Sequence, residues 1–444
     1  MTPRPLGWLG ILRLGLLQTA LGAILVLTTS TLNRVMVVEY AMPAAVPGLL
    51  VALHHACQAL RPRWGYASDR GGRRTPWIVG GMAVLAAGGL LAAIATAWMA
   101  TAPVAGLVLA VAAFVLIGLG VGAAGTNTLI LLAERVEDER RAPAATIVWV
   151  MMIAGFIVTA ALGGRALDPY SPERLIAVAA VVGLLAFLLS VVAVSGLEGS
   201  RRAGAAGAAS SRSERDGGFS AMLRMVWCDP VARRFTLFIF ASMLAYSAQD
   251  LILEPYAGIV FGMTPGETTR LGGLQNAGVL AGMVTVGLAG HLAGRRPGFV
   301  GAMMIAGCVA SAAALAAIAE SPALGLPIRP LVAALGFANG AFAVAAISMM
   351  MDLAGSGPQQ SRGTRMGLWG AAQAIAFGAG GLAGTVAVDA VRWATGLTVT
   401  AYQAVFLAEA VMFLASALLA LAIVARPSTD RTALGAGERI TPAE

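Results

Sequence analysis

Twelve long apolar stretches, each bounded by short polar segments, run from one end of the chain to the other: 8–32, 44–64, 75–98, 104–132, 144–166, 174–196, 232–255, 270–290, 297–319, 329–353, 365–388 and 402–425. A helix of about 20 residues crosses a hydrocarbon core of about 30 Å. The pattern therefore predicts an all-α membrane protein of twelve transmembrane helices. The longest polar interval is rich in Gly, Ala, Ser and Arg, has no sustained apolar periodicity, and reads as a linker. The expected organisation is an N-terminal six-helix half (1–196), a cytoplasmic linker (197–230), a C-terminal six-helix half (231–426) and a cytoplasmic tail (427–444).

Composition sharpens this picture. The chain is 58% hydrophobic and only 12% charged, against an apolar share of about 45–50% in soluble domains. All 30 basic residues are arginine. Placing both termini and every second loop on one side leaves only Arg34, Arg165, Arg174, Arg270, Arg329 and Arg392 on the other. By the positive-inside rule both termini are then expected in the cytoplasm. The charge of +8 thus reports topology, and no nucleic-acid partner is expected. Cys57, Cys228 and Cys308 have neither disulfide nor metal-ligand spacing. The first apolar run is too long for a cleavable signal and is expected to remain as the first span.

A short phrase occurs twice, 222 residues apart in a chain of 444: Gly65-Tyr-Ala-Ser-Asp69-Arg70-Gly-Gly72-Arg73-Arg74 and Gly287-Leu-Ala-Gly-His291-Leu-Ala-Gly294-Arg295-Arg296. The repeat implies two pseudo-symmetric halves with a functional cavity at their interface. Gly65 suits a close helix contact, and Asp69 suits a helix N-terminus or an arginine partner. Where the first copy has Asp69 the second has His291, a weaker or pH-sensitive latch. Gly118, Gly120, Gly122 and Gly125 in span four and Gly378, Gly380, Gly381 and Gly384 in span eleven are spaced for close helix packing.

The first loop resembles the signature loop of the major facilitator superfamily. Proton-coupled members carry an arginine early in span four, where this chain has Phe114, so proton-driven solute antiport is not expected. Two further segments, Leu32-Asn33-Arg34-Val35-Met36-Val-Val-Glu39-Tyr40-Ala-Met-Pro43-Ala44 and Gln249-Asp250-Leu-Ile-Leu253-Glu254-Pro255-Tyr256, look like the bacteriochlorophyll-delivery (PucC/LhaA-like) branch of that superfamily. With His54-His55 and the compact loop after span two, the chain is most similar to members once described as a bacteriochlorophyll synthase subunit. The resemblance implies a non-catalytic assembly factor with bacteriochlorophyll as non-covalent cargo. Bacteriochlorophyll synthase and light-harvesting or reaction-centre subunits become its expected partners.

Physical reading of the residues gives three candidate sites. Arg34 on span one is expected to pair with Asp250 or Glu254 on span seven and close the bundle at its periplasmic mouth; two separately solvated helix ends are the alternative. Pro255 is expected to end span seven. His54 and His55 lie about 16 Å from the cytoplasmic end. Each is either an axial ligand for the pigment magnesium or a histidine bonded to a neighbouring helix. Met151 and Met350 offer adaptable thioethers to a flat macrocycle or fill gaps in the core. Arg70, Gly72, Arg73, Arg74, Arg295 and Arg296 complete the two signature loops. Glu409 is an isolated acid in span twelve without an evident partner, facing the central cavity or another protein. No paired acidic motif for a magnesium-diphosphate is present, and Glu134-Arg-Val-Glu137-Asp138-Glu139 reads as a solvated turn. The readings that remain beside pigment delivery are a transporter of a small lipophilic solute and a non-catalytic subunit of the pigment synthase.

Overall fold

In a computed structural model the described residues are 5–198, 227–292, 298–355 and 362–425, apart from 62–63, 65–66 and 69–72. Most of the expected linker, residues 199–226, therefore lies outside them. The helices are α1 (Trp8–Glu39), α2 (Ala45–Cys57), α3 (Thr75–Met99), α4 (Pro103–Arg135), α5 (Asp138–Ala166), α6 (Pro172–Val194), α7 (Pro230–Phe261), α8 (Pro265–Leu292), α9 (Phe299–Leu324), α10 (Ile328–Gly355), α11 (Arg362–Thr395) and α12 (Thr398–Val424). Among the described residues eleven of these are long and apolar enough to cross a membrane, and α2 is a shorter apolar helix. The end at which α1 begins and α12 finishes is termed proximal, the other distal.

Local chemistry fixes the helix ends. Pro occupies the first turn of α3, α4, α6 and α7, where its missing N–H costs nothing. Asp229 accepts from the Val231 N–H at 2.9 Å and caps α7; Ser171 caps α6 by accepting from the Arg174 N–H at 3.1 Å. Gly262, with φ of +63°, stops α7. The helix thus runs through Pro255, where the sequence predicted its end. A transmembrane helix tolerates an internal proline because its neighbours satisfy or cover the freed carbonyl.

Each half has its own core. One cluster, including Phe235, Phe238, Tyr256, Phe342, Phe406 and Phe413, lies wholly within α7–α12; two others lie in the first half apart from Leu251. Leu184, Leu185, Leu188 and Val192 of α6 are exposed, as a lipid-facing helix requires. Trp149 and Trp369 hold matching places in the two halves yet do different jobs. Trp149 is half-exposed, whereas Trp369 is 1% exposed and packs edge-on against Phe235 at 4.9 Å. Trp369 is thus a core residue of the second half.

The halves meet through α1 with α7, α2 with α11 and α5 with α8. α1 contains two π-helical turns, Leu27–Thr31 and Val35–Glu39. Hydroxyls loosen its ladder: Thr28 Oγ1 donates to the Ile24 and Leu25 carbonyls and Thr29 Oγ1 to Leu25.

At the proximal end the chain leaving α6 folds back onto the start of α3. The Glu198 carboxylate accepts from the backbone N–H groups of Arg74 and Thr75, the latter at 2.9 Å, and Arg73 stands 4.0 Å away. Burial alone would push the Glu198 carboxyl up. The hydrogen bonds from Thr75 and Arg74, with the charge of Arg73, outweigh it and hold the group below the usual glutamate range. A depressed carboxyl adds stability above the unfolded-state value of about 4.3 and loses it as pH falls through the folded value. Glu198→Gln is therefore expected to speed amide exchange at Arg74 and Thr75 severalfold at neutral pH, in line with about 1 kcal/mol for a helix cap. The difference from the parent protein should vanish in acid, which hydrogen-exchange mass spectrometry would read.

Candidate functional site

The polar run on α1 faces the second half. Its members are nearly fully buried: Thr31 is 0%, Asn33 1% and Arg34 2% exposed. Four hydrogen bonds cross the interface from this run. Ser30 donates to Glu254; Thr31 and Thr269 hydroxyls meet at 3.0 Å; Asn33 Nδ2 donates to the Leu251 carbonyl at 2.6 Å; and Arg34 Nη2 donates to the Met263 carbonyl at 2.6 Å. The predicted pairing of Arg34 with Asp250 or Glu254 is replaced by an ion pair with Glu39 on its own helix. The π turn explains this. In a helix of i→i+5 bonds, residues five apart come together, and Arg34 and Glu39 are five apart. The distal mouth is still joined across the halves, through Ser30 on Glu254 and Arg34 on a carbonyl.

Two carboxylates add to that closure, each capping a helix of the opposite half. Asp389 of α11 accepts from the Ala44 and Ala45 N–H groups at 3.0 and 2.7 Å, at the start of α2. Asp168, just after α5, accepts from Thr264 Oγ1 at 2.8 Å and the Gly266 N–H at 3.2 Å, and pairs with Arg270 at 3.1 Å, at the start of α8. The two caps are the same device used twice. The 222-residue offset of the signature loops carries Ala44 onto Gly266 and Asp168 to within one residue of Asp389. Sequence reasoning missed both carboxylates, although that offset was the available signal.

Nearer the proximal end, α2, α7 and α11 present an aromatic wall. The two histidines diverge, as neighbours about 100° apart on a helix must. His54 is 2% exposed and its Nε2 lies 2.9 Å from the Gln58 amide; its backbone is packed beneath Gly118 of α4. His55 is half-buried and stands over α11, its ring 6.4 Å from Phe377, which in turn lies 5.8 Å from Tyr246 of α7. Among the described residues His55 makes ring contacts and no hydrogen bond. Gln373 and Met243 continue the same seam.

The remaining predicted residues fall elsewhere. Met151 packs over Gly15 of α1, and its carbonyl accepts from Thr19 at 2.8 Å. Met350 packs against the core of the second half. Met151 thus packs between α1 and α5, while Met350, Tyr246 and Phe377 all pack against the core of the second half. Arg74 is buried, bonded to Ser68 and 2.8 Å from Glu134, so Glu134 in the last turn of α4 meets the start of α3, while Glu137 is exposed. Gly65, Asp69, Arg70, Gly72, Arg295 and Arg296, and the side chain of His291, lie outside the described residues. Gly287 has no atom within 4 Å of where a Cβ would stand, so close contact is not the reason for a glycine in the second copy. Arg13 donates to the Val192 carbonyl at 3.1 Å and to that of Ser195, closing the end of α6.

Solved structures share this architecture over nearly the whole chain. A bacterial homolog of the human lysosomal transporter Spinster aligns with a TM-score of 0.67 at 16% identity, covering 98% of each chain. A D-xylose–proton symporter aligns with a TM-score of 0.67 at 16% identity, over 95% of this chain and 98% of its own. Two six-helix halves joined across α1/α7, α2/α11 and α5/α8 define a membrane transporter fold of the major facilitator class. Residues 31–428 match the PUCC protein family, and the chain belongs to it. It is 52% identical over 427 residues to the bacteriochlorophyll synthase 44.5 kDa chain of Rhodobacter capsulatus, covering 96% of this chain and 98% of that one. It is 30% identical to protein PucC of the same organism, over 94% and 92% of the two chains.

Proposed function

We propose that this protein is a non-catalytic membrane assembly factor that takes up bacteriochlorophyll and hands it to light-harvesting or reaction-centre polypeptides. It lies in the bacterial inner membrane with both termini, and hence its proximal end, in the cytoplasm. The observation that carries this reading is His55. Among the described residues it is an imidazole without a hydrogen bond, placed at the seam of the halves beside Phe377, which in turn meets Tyr246, in a chain 52% identical to one named as a bacteriochlorophyll synthase chain. A neutral imidazole is a ready ligand for a metal at the centre of a macrocycle. The flanking rings offer faces on which a flat conjugated system stacks. His54 is committed to Gln58 and the α4 contact, so His55 is the histidine assigned to the pigment.

Because the same relative is named as part of a synthase, attachment to that enzyme as a non-catalytic subunit is the second reading. The solute-transporter fold supports the third, a carrier of a small lipophilic molecule.

Pigment recovered with the purified full-length protein tests these readings. The parent protein is expected to carry a near-infrared band at close to stoichiometric level, and His55→Leu to lose most of it. Phe377→Ala should weaken the band and His54→Leu should spare it in whatever fraction folds. Equal pigment in the parent, His55→Leu and Phe377→Ala proteins would reject ligation by this wall. A colourless parent protein would overturn pigment carriage altogether, and co-purification of the synthase would favour the subunit reading.

A further inference from the structure

Three acids lie within the second half, inside the membrane-spanning region. Glu409 of α12 is 2% exposed and neither carboxylate oxygen has a hydrogen-bond partner. Glu254 of α7 is 3% exposed; one oxygen accepts from Ser30 and the other has no partner. Asp250, one turn before Glu254 on the same helix, is half-buried and close enough to act electrostatically on both glutamates.

Among the described residues no cation forms an ion pair with this group. α12 contains neither Arg nor His. The helices packed on it contribute Arg233, Arg234, Tyr246, Asp250, Glu254 and Tyr256 from α7 and Cys308 and Glu320 from α9. Arg233 and Arg234 stand at the proximal end, where Arg234 donates to the Ala422 carbonyl at 3.3 Å. Of α11, Arg362 and Arg365 stand at the proximal start and Asp389 and Arg392 toward the distal end. Tyr402 lies on α12 itself, two turns away from Glu409. Arg34 reaches the field of Glu254, but its guanidinium is already engaged by Glu39 and the Met263 carbonyl. An unpaired ionised carboxylate in such surroundings is strongly disfavoured. Among the described residues no three acidic, histidine or cysteine side chains are grouped to hold a metal ion. The ligand that neutralises one carboxylate at a time without a coordination shell is a proton.

We propose that Glu409, Asp250 and Glu254 form a proton-binding site whose deprotonation opens the distal mouth. The link is direct: Glu254 is the acceptor for Ser30, one of the bonds that join α1 to α7. With its protons the group is neutral and the mouth stays closed as observed. When protons leave, the charged carboxylates gain by reaching water, and the nearest route is separation of α1 from α7. The inference is independent of what the protein carries.

The test uses full-length protein in lipid nanodiscs, with the native cysteines replaced and Ala44→Cys as reporter. Ala44 is 4% exposed at the α2/α11 seam and should be reached by a polar maleimide only when the distal mouth opens. Labelling, divided at each pH by that of the same protein unfolded in detergent so that the rise in thiolate reactivity with pH cancels, is expected to rise severalfold from mildly acidic to mildly alkaline buffer. Glu409→Gln should hold it low throughout, and Glu409→Asp should restore the rise. Because Glu409→Gln can fail to fold, the half-buried Asp250→Asn serves as a second variant, with a blunted response expected. In parallel, the infrared carbonyl stretch of a protonated carboxylic acid at neutral pH should diminish in Glu409→Gln. Normalised labelling independent of pH in the parent protein overturns the proposal, as does an unchanged pH response in the folded variants. A response to sodium at fixed pH, in place of the response to pH, overturns the assignment to a proton.

Discussion

Placing valine at both Gly336 and Gly340 is expected to abolish recovery of folded protein. These glycines lie on α10 four residues apart, facing Gly278 and Gly282 of α8, also four apart. A Cβ on Gly336 would run into the Gln275 carbonyl and one on Gly340 into that of Val279; the reciprocal additions at Gly278 and Gly282 would strike the Ala333 and Phe337 carbonyls. Every obstacle is backbone, so no side chain can swing aside. In lipid, association of two helices rests on such close approach, because burial of apolar surface gives no net drive. Overpacking costs about 1–3 kcal/mol per site in soluble cores, and two adjacent sites on a backbone contact add to a large fraction of a typical net stability of about 5–15 kcal/mol. Fluorescence-detected size exclusion should show loss of the monodisperse peak. Gly287→Val on the same α8, with nothing within 4 Å, should elute as the parent does. An unaffected double variant would mean that α8 and α10 are not in contact in the membrane.

Removing both distal caps is expected to be the most disruptive change to conformation that leaves the cores intact. Asp389→Ala strands two N–H groups at the start of α2; Asp168→Ala removes an ion pair and two hydrogen bonds at the start of α8. Loss of a cap costs about 0.5–2 kcal/mol, and a carboxylate acceptor places the loss toward the upper end. Amide exchange at Ala44 and Ala45 should accelerate about tenfold in Asp389→Ala, and at Gly266 in Asp168→Ala. If the caps act together, the double variant will accelerate exchange at both helix starts and at the Ser30–Arg34 segment of α1, which neither carboxylate touches. Strictly local effects in the double variant would show that the caps stabilise their own helices and do not hold the halves together.

The spans were legible because a transmembrane helix has to write its length into hydropathy, and the two halves because the signature phrase recurs. What escaped reading arises from contacts between distant residues or from departures from regular helix geometry. Arg34, Asp250 and Glu254 stood out as charges at a helix end. Their partners did not, since the geometry that turns Arg34 toward Glu39 depends on a π turn that no residue pattern announces. The caps join Asp389 to Ala44 across most of the chain, and only the internal offset relates them to Asp168 and Gly266. The histidine pair was visible, but which ring meets α11 depends on helix rotation, set by the packing of His54 beneath Gly118. Glu409 looked solitary because its electrostatic neighbour belongs to another helix. Pro255 misled in the opposite sense, since a rule for soluble helices ends a helix that the membrane allows to continue to Phe261.

The first π turn of α1, Leu27–Thr31, has a consequence for chain length. A π turn holds about one residue more than the α turn it replaces, so deleting a single residue there leaves a continuous α-helix with no stranded carbonyl. Transmembrane helices ordinarily cannot absorb a deletion, because every residue beyond it is swung by about 100°. Here the residue removed is the surplus one, so the turn still closes and the segment that carries Asn33 and Arg34 keeps its facing toward Leu251 and Met263. The fit between the two halves is thus insulated from the loss of one residue within this turn, and from that loss nowhere else along a regular α-helical stretch.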